Sequence, residues 1–243
     1  MSAAVHLLDS GRVKQGGLPG GNTKVSSLMS ASAVPAGDAL LEARAIELWR
    51  GERHLLRQVA FTLTAGELLQ ITGANGAGKT SLLRVVCGLL PPESGDIFWR
   101  GNSIRAARDA FHRDLVYLAH LNALKLDLTA DENLRAGAGL RRTTTRAARL
   151  GALEALGVAH CAELPGRVLS AGQRRRVAFA RVLLSNAMLW VLDEPTTNLD
   201  ASGVAVIERL LESHLQQGGA VLTAAHHGLL TGHARVRELA LSA

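Results

Sequence analysis

A glycine-rich segment of the sequence has the residue types that bind phosphate. Residues 73–80 read GANGAGKT and match the pattern G-x-x-x-x-G-K-[ST]. Glycines let the backbone turn tightly, so that its N–H groups surround an anion, while a lysine reaches the β- and γ-phosphates and a hydroxyl ligates Mg²⁺. A nucleotide site is therefore predicted at Gly73, Ala74, Asn75, Gly76, Ala77, Gly78, Lys79 and Thr80, with Ser81 placed for the α-phosphate.

Two adjacent acids form the second candidate site. Residues 188–194 read MLWVLDE, an apolar run that delivers Asp193 and Glu194 together at its end. Next to bound phosphates, Asp193 is predicted to hold Mg²⁺ through water, and Glu194 to act as the general base for the attacking water. The alternative is a solvated strand end without catalytic function. The phosphate-binding segment makes the catalytic interpretation the better one.

The elements around these residues alternate between strands and helices. An apolar strand, LLQIT, precedes the phosphate-binding segment, and a helix is predicted from about residue 79 to 90. Such alternation predicts an α/β fold with a parallel sheet whose chemistry gathers at the carboxyl ends of the strands. Short strands are further expected at 41–49, 59–67, 95–101 and 114–120, helices within 124–165, and a helix at about 202–216.

Composition limits the possible partners. The net charge of +6 suits phosphates, anionic lipids or an acidic protein equally well. With one Tyr and four Phe, the chain offers few of the stacking aromatics that nucleic-acid binding uses, so no nucleic-acid partner is expected. No apolar run reaches the 18 or so residues that cross a bilayer, and a membrane role therefore requires partner subunits. Residues 1–38, rich in Gly, Ser and Ala, are predicted to be disordered.

The segment at 169–181, LSAGQRRRVAFAR, resembles the signature motif of ABC ATPases, whose usual form contains LSGGQ. The resemblance implies a P-loop NTPase fold at residues 39–243, with a mostly parallel sheet, a small antiparallel β subdomain and a helical subdomain at about 122–172. It also implies that two copies meet face to face. In that arrangement Ser170, Ala171, Gly172 and Gln173 of one copy contact the γ-phosphate held by the other.

Further family landmarks follow in order. Thr197-Asn198-Leu199-Asp200 resembles the D-loop, which assigns Asp200 to it. His226 resembles the switch histidine that senses the γ-phosphate and acts in catalysis, with the adjacent His227 as the alternative.

Two landmarks depart from the usual family pattern. Where many cassettes carry a glutamine after Tyr-x-x, this chain has His120, so His120 or Asn122 is expected to sense Mg²⁺ and the membrane partner. Where an aromatic usually stacks on adenine, this chain has Arg50, whose guanidinium can also stack on a base. The neighbouring Trp49 is expected to face either this site or the core.

Among ABC cassettes, the sequence is most similar to the ATP-binding subunit of the haem exporter of bacterial cytochrome c maturation. The resemblance covers residues 41–243 and rests on YLAHLNALKLDLTADENL, LSAGQRRRVA, LWVLDEPTTNLD and GGAVLTAAHH. It implies an ATPase that uses ATP and Mg²⁺, in a complex of two copies with integral membrane subunits. The complex would lie at the cytoplasmic face of the inner membrane, and haem or a haem chaperone would be contacted only indirectly.

Three other functions share parts of this pattern. Another small exporter or a lipoprotein-release system would use the same ATPase chemistry. A soluble ABC ATPase acting on nucleic acid or ribosomes generally joins two cassettes in one chain or carries a long coiled coil, and neither arrangement is visible here. A cassette without turnover is disfavoured because Lys79, Asp193 and Glu194 are all in place.

Overall fold

Two β-sheets and a set of helices make up the computed structural model, which describes residues 39–139, 143–225 and 228–241. The α/β class with a mostly parallel sheet and a small antiparallel sheet is confirmed. The segment 1–38, predicted to be disordered, lies outside the described residues, as do His226 and His227.

The antiparallel sheet has the strand order β2-β1-β4-β5. Its first two strands are longer than the short strands predicted from the sequence, since each spans 12 residues. Register shifts interrupt their pairing, and Ala45 and Gln58 adopt positive φ angles of 47° and 48°. Such bulges break the strict alternation by which strands are recognised. The strands are β1 (Ala39–Arg50), β2 (Arg53–Thr64), β4 (Ser94–Trp99) and β5 (Asn102–Ser103).

The second sheet has the order β6-β7-β8-β3-β9, and all its pairings are parallel. Because the strands are parallel, their carboxyl ends lie at one edge of the sheet. That edge receives the segments that follow Thr72, Leu118 and Asp193. The strands are β3 (Leu68–Thr72), β6 (Leu115–Leu118), β7 (Leu189–Asp193), β8 (Ala220–Ala224) and β9 (Val236–Ala240).

The helices fall close to their predicted positions, with one notable difference. The first helix ends at Val86, before the predicted limit near residue 90, because Gly88 turns the chain with a φ of 68° and two prolines follow. The α-helices are α1 (Lys79–Val86), α2 (Arg108–Asp114), α3 (Ala130–Gly139), α4 (Arg146–Ala155), α5 (Ala171–Leu184) and α6 (Ala201–Gln216), with 3₁₀ turns at Ala159–Cys161 and Gly166–Val168.

Apolar residues bury both faces of the parallel sheet. Successive residues of β7 alternate between two cores: Leu189 and Val191 pack with α1, and Trp190 and Leu192 pack with α5 and α6. A strand covered on both faces is nearly continuously apolar, and β7 and β8 are buried throughout and apolar except at Asp193 and Thr223. This rigid sheet fixes the positions of the residues that follow its strands.

Helices α3 and α4 fall within the range 122–172 predicted for the helical subdomain, although the limits of that subdomain stay a prediction. In the described part of the chain, no helix combines the length and apolar character needed to cross a membrane. Cys87 and Cys161 are both buried and free of disulfide bonds.

Candidate active site

The phosphate-binding segment is the turn between β3 and α1, as predicted. Gly73 has a φ of 141°, and a Cβ there would lie 2.6 Å from the carbonyl oxygen of Leu241, so a larger residue would not fit. Gly78 is the N-cap of α1 and offers no side-chain cap to the first turn of the helix. The first N–H groups of α1 therefore have no side-chain acceptor from the N-cap, as at helix N-termini that bind phosphate.

The Lys79 side chain reaches back to the first two residues of the phosphate-binding segment. Its Nζ donates to the carbonyl oxygens of Gly73 at 2.7 Å and Ala74 at 3.2 Å. These contacts hold the ammonium over the turn, where the sequence predicts that the phosphates bind.

Thr80 and Asp193 meet at the carboxyl edge of the parallel sheet. The Thr80 hydroxyl donates to Oδ1 of Asp193 at 3.2 Å, and among the described residues the buried Oδ2 of Asp193 has no hydrogen-bond partner. A hydroxyl beside a buried, incompletely bonded carboxylate is an oxygen donor set that suits Mg²⁺. The two side chains fit the metal predicted for them.

Glu194 follows Asp193 in a strained conformation. Its φ is 51°, in the left-handed region that residues other than glycine rarely adopt. The N–H of Glu194 donates to the carbonyl oxygen of Ala224 at 2.8 Å, and its own carbonyl oxygen accepts from Arg175 Nη2 at 2.7 Å. Backbone contacts on both sides thus set the position of this carboxylate.

These residues line one cleft of about 370 Å³. The structure brings together most of the predicted nucleotide, metal and catalytic residues, whereas Gly73, Ala74 and Ala77 shape the turn without lining the cleft. Its walls are Arg50, Leu55, Asn75, Gly76, Gly78, Lys79, Thr80, Ser81, His120, Asp193 and Glu194.

The end of the β1–β2 hairpin supplies one wall of the cleft. Arg50 lines the cleft, and its stacking on adenine stays a prediction. The alternative that Trp49 faces the core is wrong, since Trp49 is 48% exposed. Its ring instead stacks on His54, with centroids 4.2 Å apart and planes within 6°.

His120 and Asn122 have different surroundings. His120 lines the cleft, whereas the Asn122 side-chain oxygen accepts from Arg175 Nη1 at 3.0 Å. Of the two candidates for the missing glutamine, His120 is the one exposed to the cleft.

The signature residues begin α5. The Ser170 hydroxyl accepts from the Gln173 N–H at 3.1 Å, and the Gln173 side-chain oxygen accepts from the Ser170 N–H at 2.8 Å, which forms a capping box. A Cβ on Gly172 would lie 2.9 Å from the Asn198 carbonyl oxygen, so glycine permits close packing against the D-loop. Among the residues described, none from Ser170 to Gln173 lines the cleft of its own chain.

Asp200 joins the D-loop to two helices. As N-cap of α6, its carboxylate accepts from the Gly203 N–H and the Ser202 hydroxyl, each at 2.9 Å, and from Arg176 Nη2 at 2.7 Å. The hydrogen bond from Gly203, followed by that from Ser202, holds the pKa of Asp200 below its usual range.

Sequence reasoning missed Arg175. It is only 2% exposed, and its guanidinium donates to the carbonyl oxygens of Asp193 and Glu194, each at 2.7 Å. Burial lowers its pKa to about 10, and the charges of Asp193 and Glu194 oppose that shift. One signal in the sequence was available: residues 175, 179 and 182 share one face of α5, and the last two are Phe and Val.

Known proteins are similar to this chain in sequence. Residues 56–197 match the ABC transporter family model. A protein of Nitrosococcus oceani named cytochrome c biogenesis ATP-binding export protein CcmA is 46% identical over 190 residues, which cover 78% of this chain and 87% of that protein. The CcmA protein of Aliivibrio fischeri is 44% identical, with 83% and 99% covered.

Solved structures agree on the fold. The ATP-binding subunit of an ABC transporter superposes with a TM-score of 0.73 at 23% identity, covering 84% of this chain and 88% of that one. The family match spans more than half of the chain, and the two relatives are similar over nearly their whole length. The chain belongs to the ABC transporter family of ATP-binding proteins, as a member of its CcmA group.

Proposed function

We propose that this chain is the ATP-hydrolysing subunit of a membrane complex that exports haem, or releases its chaperone, in cytochrome c biogenesis. The observation that carries the ATPase part is the convergence of Lys79, Thr80, Asp193 and Glu194 on one cleft. The transport part is supported by the relatives named as export proteins of cytochrome c biogenesis. The assignment of haem as the exported molecule rests on the family resemblance.

Each side chain has a role that its position supports. The N–H groups of the turn and the Lys79 ammonium bind the β- and γ-phosphates, and Arg50 stacks on adenine. Thr80 and Asp193 hold Mg²⁺, which neutralises phosphate charge when bound. Glu194 orients the attacking water and accepts its proton, while His120 faces the same cleft. His226 is assigned to the γ-phosphate by resemblance alone.

A second copy completes the site. Ser170, Ala171 and Gly172 stand at the N-terminus of α5 but do not line the cleft of their own chain. A helix N-terminus carries partial positive charge, which favours a bound anion. The γ-phosphate on one copy therefore meets the start of α5 on the other, and hydrolysis waits until the two copies close.

An apolar groove supports an integral membrane partner. The groove encloses about 500 Å³ beside β6, and two of its wall residues, Leu89 and Leu121, are 59% and 78% exposed. Large exposed apolar side chains that surround a concave surface are typical of protein interfaces. A partner seated there would hold this chain at the cytoplasmic face of the inner membrane as a peripheral subunit.

The function is tested by replacing the chromosomal gene. Loss of the gene should abolish c-type cytochromes detected by haem staining, and the wild-type chain should restore them. The Glu194→Gln variant, produced at the same level, should not restore them because turnover is lost. A deletion strain with normal c-type cytochromes contradicts the transport assignment, and full restoration by Glu194→Gln contradicts the requirement for hydrolysis.

A further inference from the structure

Two arginines of helix α5 hold the five residues that follow β6. We call residues 119–123 the bridging segment. Arg175 Nη1 donates to the Ala119 carbonyl oxygen at 2.9 Å and to the Asn122 side-chain oxygen at 3.0 Å. Arg181 Nη2 donates to the Asn122 carbonyl oxygen at 2.6 Å, and its Nη1 donates to that of Ala123 at 3.2 Å. The segment is therefore fixed to α5 along its length.

The same Arg175 guanidinium also holds the end of β7. Its Nη2 donates to the carbonyl oxygens of Asp193 and Glu194, and its Nε donates to that of Pro195 at 3.2 Å. A planar guanidinium presents its donors in a rigid fork, so acceptors on opposite sides are held at fixed separation. One buried side chain thus joins the backbone of the general base to the bridging segment.

The bridging segment lies between the apolar groove and the nucleotide cleft. Ala119, Leu121 and Ala123 line the apolar groove, and His120 lines the nucleotide cleft. A displacement of the segment at the groove would act on Arg175, and through Arg175 on the carbonyl oxygen of Glu194.

We propose that Arg175 is a positioning residue for ATP hydrolysis, which keeps the Glu194 backbone in register with the bridging segment. The inference rests on the proposed function of Glu194 as general base. A buried arginine is costly unless its donors are all satisfied, and here all three of its nitrogens have carbonyl or amide acceptors. Those acceptors belong to the end of β7 and to the bridging segment, whose relative position hydrolysis requires. An arginine that only stabilised the core would not need acceptors on both segments.

Two substitutions and a matched control test this role. The full-length chain, isolated with its membrane partners, is assayed for ATP affinity, KM and kcat with Mg²⁺, and for melting temperature. Arg175→Lys keeps the charge but loses the fork, and Arg175→Met keeps only the length. Arg209→Lys and Arg209→Met are the controls, because Arg209 is exposed on α6 and lines neither the nucleotide cleft nor the apolar groove.

The expected result is a split between turnover and binding. In Arg175→Lys, kcat falls at least tenfold while KM and ATP affinity stay within about threefold, and the Arg209 variants match the wild type. Equal losses of affinity, kcat and melting temperature in a folded Arg175→Lys would overturn the inference in favour of a structural role. An unchanged kcat would also overturn it.

A double variant identifies the partner of Arg175. Because Glu194→Gln already lacks the base, adding Arg175→Lys should lower kcat by less than twofold more. If the fold-losses in kcat of the two single variants multiply in the double variant, Arg175 acts independently of Glu194, and the inference is overturned. Hydrolysis by the wild-type complex at the level of Glu194→Gln would instead contradict the proposed function, so the two failures are distinguishable.

Discussion

The hydroxyl of Thr80 donates to Oδ1 of Asp193 at 3.2 Å, across 113 positions of sequence. The first residue joins the phosphate-binding turn to α1, and the second ends β7, two strands away from β3 in the sheet. Both strands are parallel and buried, so their ends are fixed relative to each other. The proposed metal site is thereby built on rigid elements.

Thr80→Val should weaken the use of Mg²⁺. The substitution removes the hydroxyl and keeps the branched shape, so the Mg²⁺ concentration for half-maximal hydrolysis should rise by at least about tenfold. Thr80→Ser retains the hydroxyl and is the control. Titration of ATPase activity with Mg²⁺ measures the effect, and equal behaviour of the two variants would remove Thr80 from the metal site.

Lys79→Ala should lose most of its affinity for ATP. Its ammonium contributes a charged hydrogen bond worth about 1.5–3 kcal/mol, which corresponds to roughly 10- to 150-fold in Kd. Isothermal titration with ATP and Mg²⁺ checks the change, with the exposed Lys125→Ala as control. Unchanged affinity in Lys79→Ala would refute the phosphate assignment.

Glu194→Gln should bind ATP normally and stop hydrolysing it. An amide cannot take the proton of the attacking water, so kcat should fall by about 10²- to 10⁴-fold. With ATP, size-exclusion chromatography should show a trapped dimer of the chain. Glu93→Gln, on an exposed turn, controls for the loss of one charge. If hydrolysis persists in Glu194→Gln, the base is another residue.

Leu121→Asp should separate the chain from its membrane partner. The substitution replaces an exposed apolar side chain of the groove with a charged carboxylate, whose desolvation opposes docking. Co-purification with the membrane fraction should fall several-fold while ATP affinity is unchanged. Leu126→Asp is the control, since Leu126 is also exposed, at 51%, but does not line the groove. Equal losses in both variants would exclude the groove as the docking surface.

His214 should make the protein less stable in acid. Its ring stacks on Trp190 with centroids 3.8 Å apart, and burial lowers its pKa below 6.5. The unfolded chain therefore takes up a proton below about pH 6.5 that the folded chain resists. Stability from this residue is intact above that pH and is lost as pH falls towards the folded pKa, with a slope of at most about 1.4 kcal/mol per pH unit.

His214→Phe tests this contribution. The variant should show a shallower decline of the free energy of unfolding between pH 7 and pH 5, measured by urea denaturation. The comparison concerns the slope with pH, so a constant difference in stability between the two chains does not matter. Equal slopes would show that His214 does not contribute.

The motif residues could be predicted because each acts through its own short segment. The turn of residues 73–80 and the pair Asp193–Glu194 both follow apolar strands, and parallel strands bring such ends together. Sequence order alone thus predicted that Thr80 and Asp193 meet. Arg50, which the family resemblance assigned to adenine, lines the cleft, and its stacking stays a prediction.

Long-range contacts were harder to predict. Helical spacing places Arg175 on the face of α5 that carries Phe179 and Val182, but its acceptors lie on two segments distant in sequence, so its contacts could not be predicted. The orientation of Trp49 could not be predicted either, because an aromatic residue near the end of a hairpin can face the core or the solvent. Its exposure depends on its stacking on His54. The sequence predicts shorter strands than the 12-residue β1 and β2, because bulges interrupt the alternation of apolar and polar residues.

The left-handed backbone of Glu194 lowers the stability of the protein, whereas its carboxylate is required for the proposed ATP hydrolysis. At a φ of 51° a residue with a Cβ costs about 1–2 kcal/mol, which glycine avoids. Glu194→Gly would relax this turn and remove the carboxylate at the same step. An engineering screen that selects only for heat resistance would therefore enrich chains that no longer turn over ATP, and a thermostable version of this protein has to be selected for activity as well.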